Sequence, residues 1–127
     1  MALGVGLMLV VALGGACGGK KHESTGQLAL KWRVAKPCVR PGDRQEVVTK
    51  AVPRANVAYA IIYADEKVRG DPPHGDADSS GTFKASWVVP TDAPAGEVRV
   101  RILAVSERRT GSVIAPFKIA SAEKPCS

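Results

Sequence analysis

The side chains in this sequence that could do chemistry are few: 3 cysteines, 2 histidines and one dense acidic stretch. His22 and His74 each stand without a Cys or His partner at the short spacings a zinc site uses. The stretch "DADSSG", Asp76 to Gly81, imitates the opening of a helix-flanked calcium loop. Asp76, Asp78 and Ser80 fall at its first, third and fifth positions and Gly81 at its sixth. The twelfth position of such a loop is a bidentate Glu; here it is Trp87. A tight polar turn with Asp capping backbone amides is expected instead, and no metal. The sequence has no Gly-x-Ser-x-Gly elbow, phosphate-binding glycine loop or dinucleotide fingerprint. The carboxylates crowded between Asp65 and Asp78 read as a solvated loop. No catalytic residue and no cofactor are expected, and the chain is not expected to be an enzyme.

The elements that must carry these residues follow from composition and periodicity. At 127 residues the chain holds one domain. Its net charge is +6, and every charged residue lies after Gly19. A basic excess suits anionic surfaces such as lipid headgroups or envelope polymers; no nucleic-acid partner is expected.

Ala2 to Leu13 is an uncharged, apolar run. It is too short for a membrane-spanning helix of roughly 20 residues and fits the about 7–15 of a signal-peptide core. Small residues follow, Gly14, Gly15 and Ala16, then Cys17. The stretch Leu13 to Cys17 resembles the lipobox of bacterial lipoproteins. That resemblance implies a signal peptide over 1–16, cleavage before Cys17, and diacylglycerol on the Cys17 thiol, with palmitate-type acylation of the new amine. The alternatives are an uncleaved apolar anchor or an ordinary signal peptide cut near Ala16. Residues 17–27 are then a lipidated cysteine and a polar tether, "GGKKHESTGQ", whose ten residues typically span roughly 16–19 Å. On this reading the protein is exported and anchored to a bacterial membrane.

Residues 28–127 show period-two alternation in short runs between turn signals, the mark of strands. "LALKWRV" places Leu28, Leu30, Trp32 and Val34 on one face. "RQEVVTKAV" follows the Pro41-Gly42-Asp43 turn. "NVAYAIIYAD" is apolar on both faces and is expected to be central and covered on both. An edge strand is expected at Lys67 to Arg69, then a long loop. "TFKASWVVP" turns Phe83, Ala85, Trp87 and Val89 inward; "EVRVRILAVS" turns Val98, Val100, Ile102 and Ala104 inward. "ERRTG" reads as a hairpin loop closed by Gly111. "SVIAPFKIA" ends the domain, with Pro116 marking an edge or a bulge. Trp32 and Trp87 are both expected in the core; exposed, they would suit a sugar platform. The expected fold is all-β: a two-sheet sandwich of about seven strands.

The pieces "VRPGDRQEVVTKAV", "DADSSGTFKASWVVPTDAPAGEVRVRILAV" and "APFKIA" make Val34 to Ala120 resemble bacterial immunoglobulin-like domains of cell-envelope proteins. The resemblance implies a fold and carries no catalytic residues. In that topology the first and last strands run toward the same end, so Cys38 and Cys126 fall at one pole. With Cys17 lipidated, they are the pair left for a disulfide in an exporting compartment. The alternative is two free thiols.

On the strand Glu97 to Ser106 the outward set includes Arg99 and Arg101. Arg108 and Arg109 lie in the following loop, and Lys84 and Lys118 on neighbouring strands are expected on the same face. This would be a surface for anionic polymer or lipid headgroups, or merely a solvated face. The functional expectation is a lipid-anchored, non-catalytic binding or spacer module of the envelope. The alternative is an accessory subunit of a larger envelope complex, joined by edge-strand pairing.

Overall fold

The computed structural model describes residues 27–126. The signal segment 1–16, the lipobox-like stretch ending at Cys17 and the tether to residue 26 lie outside them, as does residue 127. Eight strands follow in order: β1 (Lys31–Val34), β2 (Cys38–Val39), β3 (Arg44–Lys50), β4 (Asn56–Ile62), β5 (His74–Asp76), β6 (Thr82–Val88), β7 (Gly96–Ser106) and β8 (Arg109–Ile119). They form a 3-stranded sheet, β1-β3-β6, and a 5-stranded sheet, β2-β8-β7-β4-β5. This is an immunoglobulin-like sandwich with eight strands against the expected seven.

The opening strand changes sheet. β1 pairs antiparallel with β3, Lys31 opposite Lys50. β2 pairs in parallel with β8, Cys38 opposite Lys118. Gln45 fixes the crossing between them. Its side chain is buried; it donates to Lys36 O at 2.8 Å and accepts from Lys36 N at 3.1 Å. A buried amide left without partners would be costly, so these bonds tie the crossing segment to β3.

The core fills the space between the inward sets of the two sheets. Val98, Val100, Ile102 and Ala104 of β7 are fully buried, as are Val57 of β4, Val47 of β3 and Ala115 of β8. Each alternates with exposed or half-exposed neighbours, so period two placed them correctly. Burial is worth ~25 cal/mol per Å² of apolar surface, and Tyr59, Ile61, Tyr63, Phe117 and Ile119 add their larger side chains to the same core. Residues 27–126 hold both sheets, this core and the disulfide, so the domain carries its own stabilising parts.

Several expectations change. β4 is central, between β7 and β5, but its outer residues Ala58, Ala60 and Ile62 are half-buried with no layer above them among the described residues. Lys67 to Arg69 is not a strand. Tyr63 N donates to Lys67 O and Glu66 N to Tyr63 O, closing a turn there. Arg69 is held by Asp65 at 2.7 Å and by Asp92 at 3.4 Å. The short edge strand lies further on, at β5, and His74 sits in it opposite Ala58. The β7–β8 loop is Glu107-Arg108, and Glu107 itself takes the left-handed conformation at φ 54°. Gly111 lies inside β8. A Cβ there would come 2.6 Å from Leu28 O, so glycine is needed for close passage of the entering chain. Pro116 sits on the outer edge of β8, where β2 covers only Lys118 and Ile119; its missing N–H faces an open edge.

Candidate functional site

Cys38 and Cys126 are joined in a disulfide with Cα atoms 5.7 Å apart and a sequence separation of 88. The bond lies at one pole, where β2 pairs with the end of β8. The chain enters at the other pole: Gln27 bridges Thr110, and Leu28 N donates to Thr110 O at 2.8 Å.

The acidic stretch is the tight turn expected. Asp78 Oδ1 accepts from Ser80 N at 2.9 Å, Ser80 Oγ at 2.7 Å and Thr82 N at 3.0 Å. Those donors hold its carboxyl below the usual carboxylate range. Asp76 belongs to β5 and accepts from Asn56 Nδ2 at 3.2 Å. The two carboxylates are thus engaged by separate local partners. At the disulfide pole, the Arg69 guanidinium forks onto Asp65 and holds its pKa at about 2. Arg69 also lies 5.3 Å over the Tyr63 ring.

The two tryptophans divide. Trp87 of β6 packs against the core, its ring 6.3 Å from that of Phe117. Trp32 is 40% exposed. It faces inward from β1, opposite buried Thr49, but β1 is an edge strand and the ring overhangs the rim.

The expected basic face is not one face. Arg99, Arg101 and Lys118 share the outer side of the 5-stranded sheet, as alternation requires. Arg99 is neutralised there by Glu66 at 2.7 Å, and Lys118 lies opposite Glu97. Leu103, 44% exposed, and Ile114, 49% exposed, add apolar surface to that side. Arg108 is in the hairpin turn and Arg109 at its base, at the entry pole. Lys84 belongs to β6, in the other sheet, so it projects from the opposite side of the sandwich. Period two separates inward from outward residues; it does not say which sheet a strand joins.

The concentrated positive charge surrounds Lys84. On the outer side of the 3-stranded sheet, Lys31 lies opposite Lys50, and Lys50 opposite Thr82. The next row is Arg33, Val48 and Lys84. Further along, Glu46 faces Ser86 and Arg44 faces Val88. That makes five cations, Lys31, Arg33, Arg44, Lys50 and Lys84, around one carboxylate. Arg44 donates to Ser86 Oγ at 2.8 Å and Lys50 to Thr82 Oγ1 at 3.5 Å. None of the five forms an ion pair among the described residues. A shallow depression of ≈ 180 Å³ is lined by Lys31, Trp32, Arg33, Val48 and Lys50. Lys31, Arg33, Arg44 and Lys50 were not singled out from sequence. Their alternation with Trp32 and with Gln45, Val47 and Thr49 was visible; their shared sheet was not.

No family model and no curated protein matches this sequence. Solved structures do match it in shape. The adhesin InvE of Yersinia pseudotuberculosis superposes with a TM-score of 0.56 at 11% identity, over 76% of this chain and 33% of that one. Escherichia coli alpha-2-macroglobulin, activated by porcine elastase, superposes with a TM-score of 0.58 at 14% identity, over 75% of this chain and 13% of that one. This chain therefore spans a minor part of each of those proteins, and at such identities the likeness is one of fold: an immunoglobulin-like β-sandwich.

Proposed function

We propose that this protein is an exported, lipid-anchored, non-catalytic immunoglobulin-like module that binds or spaces components of the bacterial envelope. The Cys38–Cys126 disulfide carries the reading. Structural disulfides belong to oxidising, extracytoplasmic compartments, and this one uses two of the three cysteines. Cys17 is left directly behind Gly14, Gly15 and Ala16, where lipoprotein processing acts. A diacylglycerol there would bury two acyl chains at ~0.8 kcal/mol per methylene, on the order of 20 kcal/mol in all. Anchoring would be effectively permanent. A bacterial immunoglobulin-like fold, shared with an adhesin, suits a module that works by surface contact.

The test is cell fractionation of Cys17→Ser. The natural protein is expected in the membrane fraction with a lipid-shifted mobility, and the variant without that shift and released from membranes. A variant that stays in the membrane overturns the lipid anchor in favour of an uncleaved apolar one.

An accessory subunit is the second reading. It is favoured by β6, which has a strand neighbour on only one side over Thr82–Val88. Asp78 occupies the backbone of Thr82, and the edge beyond it, from Lys84 to Val88, can accept a partner strand. Recovery of a stoichiometric protein partner from solubilised membranes, lost when Lys84 and Ser86 are replaced by proline, would select this reading.

A further inference from the structure

We infer that the outer side of the β1-β3-β6 sheet is a docking face for an anionic phospholipid bilayer, contacted through Lys31, Arg33, Arg44, Lys50 and Lys84. The proposal goes beyond anchoring. A lipid on Cys17 would bring the domain near a membrane, while this face would decide how it lies there.

Three observations carry it. The first is the layout of charge. From Arg44 to Lys50 the face runs about 20 Å along β3, and across three strands it is about 10 Å wide. Cations stand on all three strands, with one carboxylate among them. Such an array matches a plane of phosphates; a single polymer chain would be met by a stripe or a groove. The second is cost. Lys31 and Lys50 lie directly opposite each other, and like charges in that position destabilise a sheet. An anionic surface removes the repulsion, so the domain gains on docking what it loses when free.

The third is the apolar rim. Val88, on this side, is 51% exposed, and Val48 lines the depression between the cations together with Trp32, which starts from the inward side of β1 and is 40% exposed at its edge. Tryptophan is at home at the headgroup level of a bilayer, its ring apolar and its N–H wet. The opposite side of the sandwich carries apolar Leu103 and Ile114 but less free charge: Arg99 is paired with Glu66 and Lys118 faces Glu97, which leaves Arg101.

The test uses the domain from Gln27 onward, which contains both sheets, the core and the disulfide, and so does not depend on the anchor. Sedimentation with phosphatidylglycerol vesicles, phosphatidylcholine vesicles and soluble dextran sulfate is compared. Binding to phosphatidylglycerol alone is expected. It should fall as salt shortens the screening length from ~10 Å at 0.1 M to ~3 Å at 1 M. Arg33→Gln/Lys50→Gln/Lys84→Gln should weaken it ~100-fold, at ~5-fold per cation removed. The charge-matched Arg101→Gln/Arg108→Gln/Lys118→Gln should bind within a few-fold of the natural sequence. Circular dichroism checks that both remain folded. On the unaltered domain, vesicles should protect the Lys50 and Lys84 amines from acylation and leave Lys118 reactive. Equal losses in the two triple variants, or no protection, overturn the face; capture by dextran sulfate without phosphatidylglycerol overturns the bilayer in favour of a polymer. A failed Cys17→Ser fractionation would leave all these results standing.

Discussion

Thr49 of the 3-stranded sheet and Tyr59 of the 5-stranded sheet are joined by a 2.6 Å hydrogen bond between their hydroxyls. The Tyr59 hydroxyl also donates to Val47 O at 3.3 Å. Thr49 is fully buried and Tyr59 nearly so. Tyr59→Phe keeps the ring, including its edge-on contact with Phe83 at 5.6 Å, and strands the Thr49 hydroxyl without a partner. The expected cost is about 1–3 kcal/mol. Each kcal/mol should lower the melting temperature by roughly 4–8 °C in a domain of this size. An unchanged melting temperature would show that the bond adds nothing net.

The same tyrosine sets a limit on the alkaline side. Burial raises the Tyr59 pKa above 10.0, partly opposed by the Thr49 hydrogen bond. The folded state therefore favours the protonated phenol. That stability is complete below the unfolded value near 10.0 and is lost as pH rises through it toward the folded value. Urea midpoints of the natural domain should fall on this limb, and Tyr59→Phe should fall less steeply. Tyr63, raised by burial as well, keeps the variant from being flat. Parallel limbs in the two proteins would contradict the assignment.

Cys38→Ser/Cys126→Ser removes a bond that closes a loop of 88 residues. In the chain-entropy account this costs ~4–5 kcal/mol. Denaturant unfolding of the variant should match that of the natural protein under reductant. A variant with the oxidised midpoint would mean that β2 and the C-terminal tail hold without the staple.

Gly111→Ala tests the entry of the chain. The new methyl would meet Leu28 O at 2.6 Å, a backbone atom that cannot turn aside. The segment before β1 must shift, at about 1–3 kcal/mol. Faster hydrogen exchange is expected at Leu28, whose N–H bonds Thr110 O. Ser112→Ala, one residue on and exposed, should leave that exchange unchanged.

Sequence carried the sandwich well where alternation was long and one-sided. Val98, Val100 and Ile102 were legible because each is flanked by a Glu or Arg that cannot be buried cheaply, and Ala104 continues their period. The disulfide was legible because the cysteine count is odd and the resemblance to immunoglobulin-like domains runs the first and last strands toward one pole; that Cys38 opens a strand of its own, β2, was not. β5 was not, since His74-Gly75-Asp76 has neither β-branched nor aromatic residues; it is a strand because β4 offers it an edge. Trp32 misled because an inward position on an edge strand still overhangs solvent. The basic face was missed through Lys84: outwardness is local, but membership of a sheet is a property of the whole topology.

The Cys38–Cys126 bond also has a mechanical meaning. Tension applied between the two ends of the chain would travel from residue 27 to Cys38, cross the disulfide and leave through Cys126. Residues 39–125, which hold β3 to β8 and nearly all of the core, would lie outside the load path. A pull could peel β1 from β3 and free Leu28 from Thr110, and would then meet a covalent stop with the rest of the sandwich intact. Reduced, the same domain would have to bear the force through its hydrogen bonds.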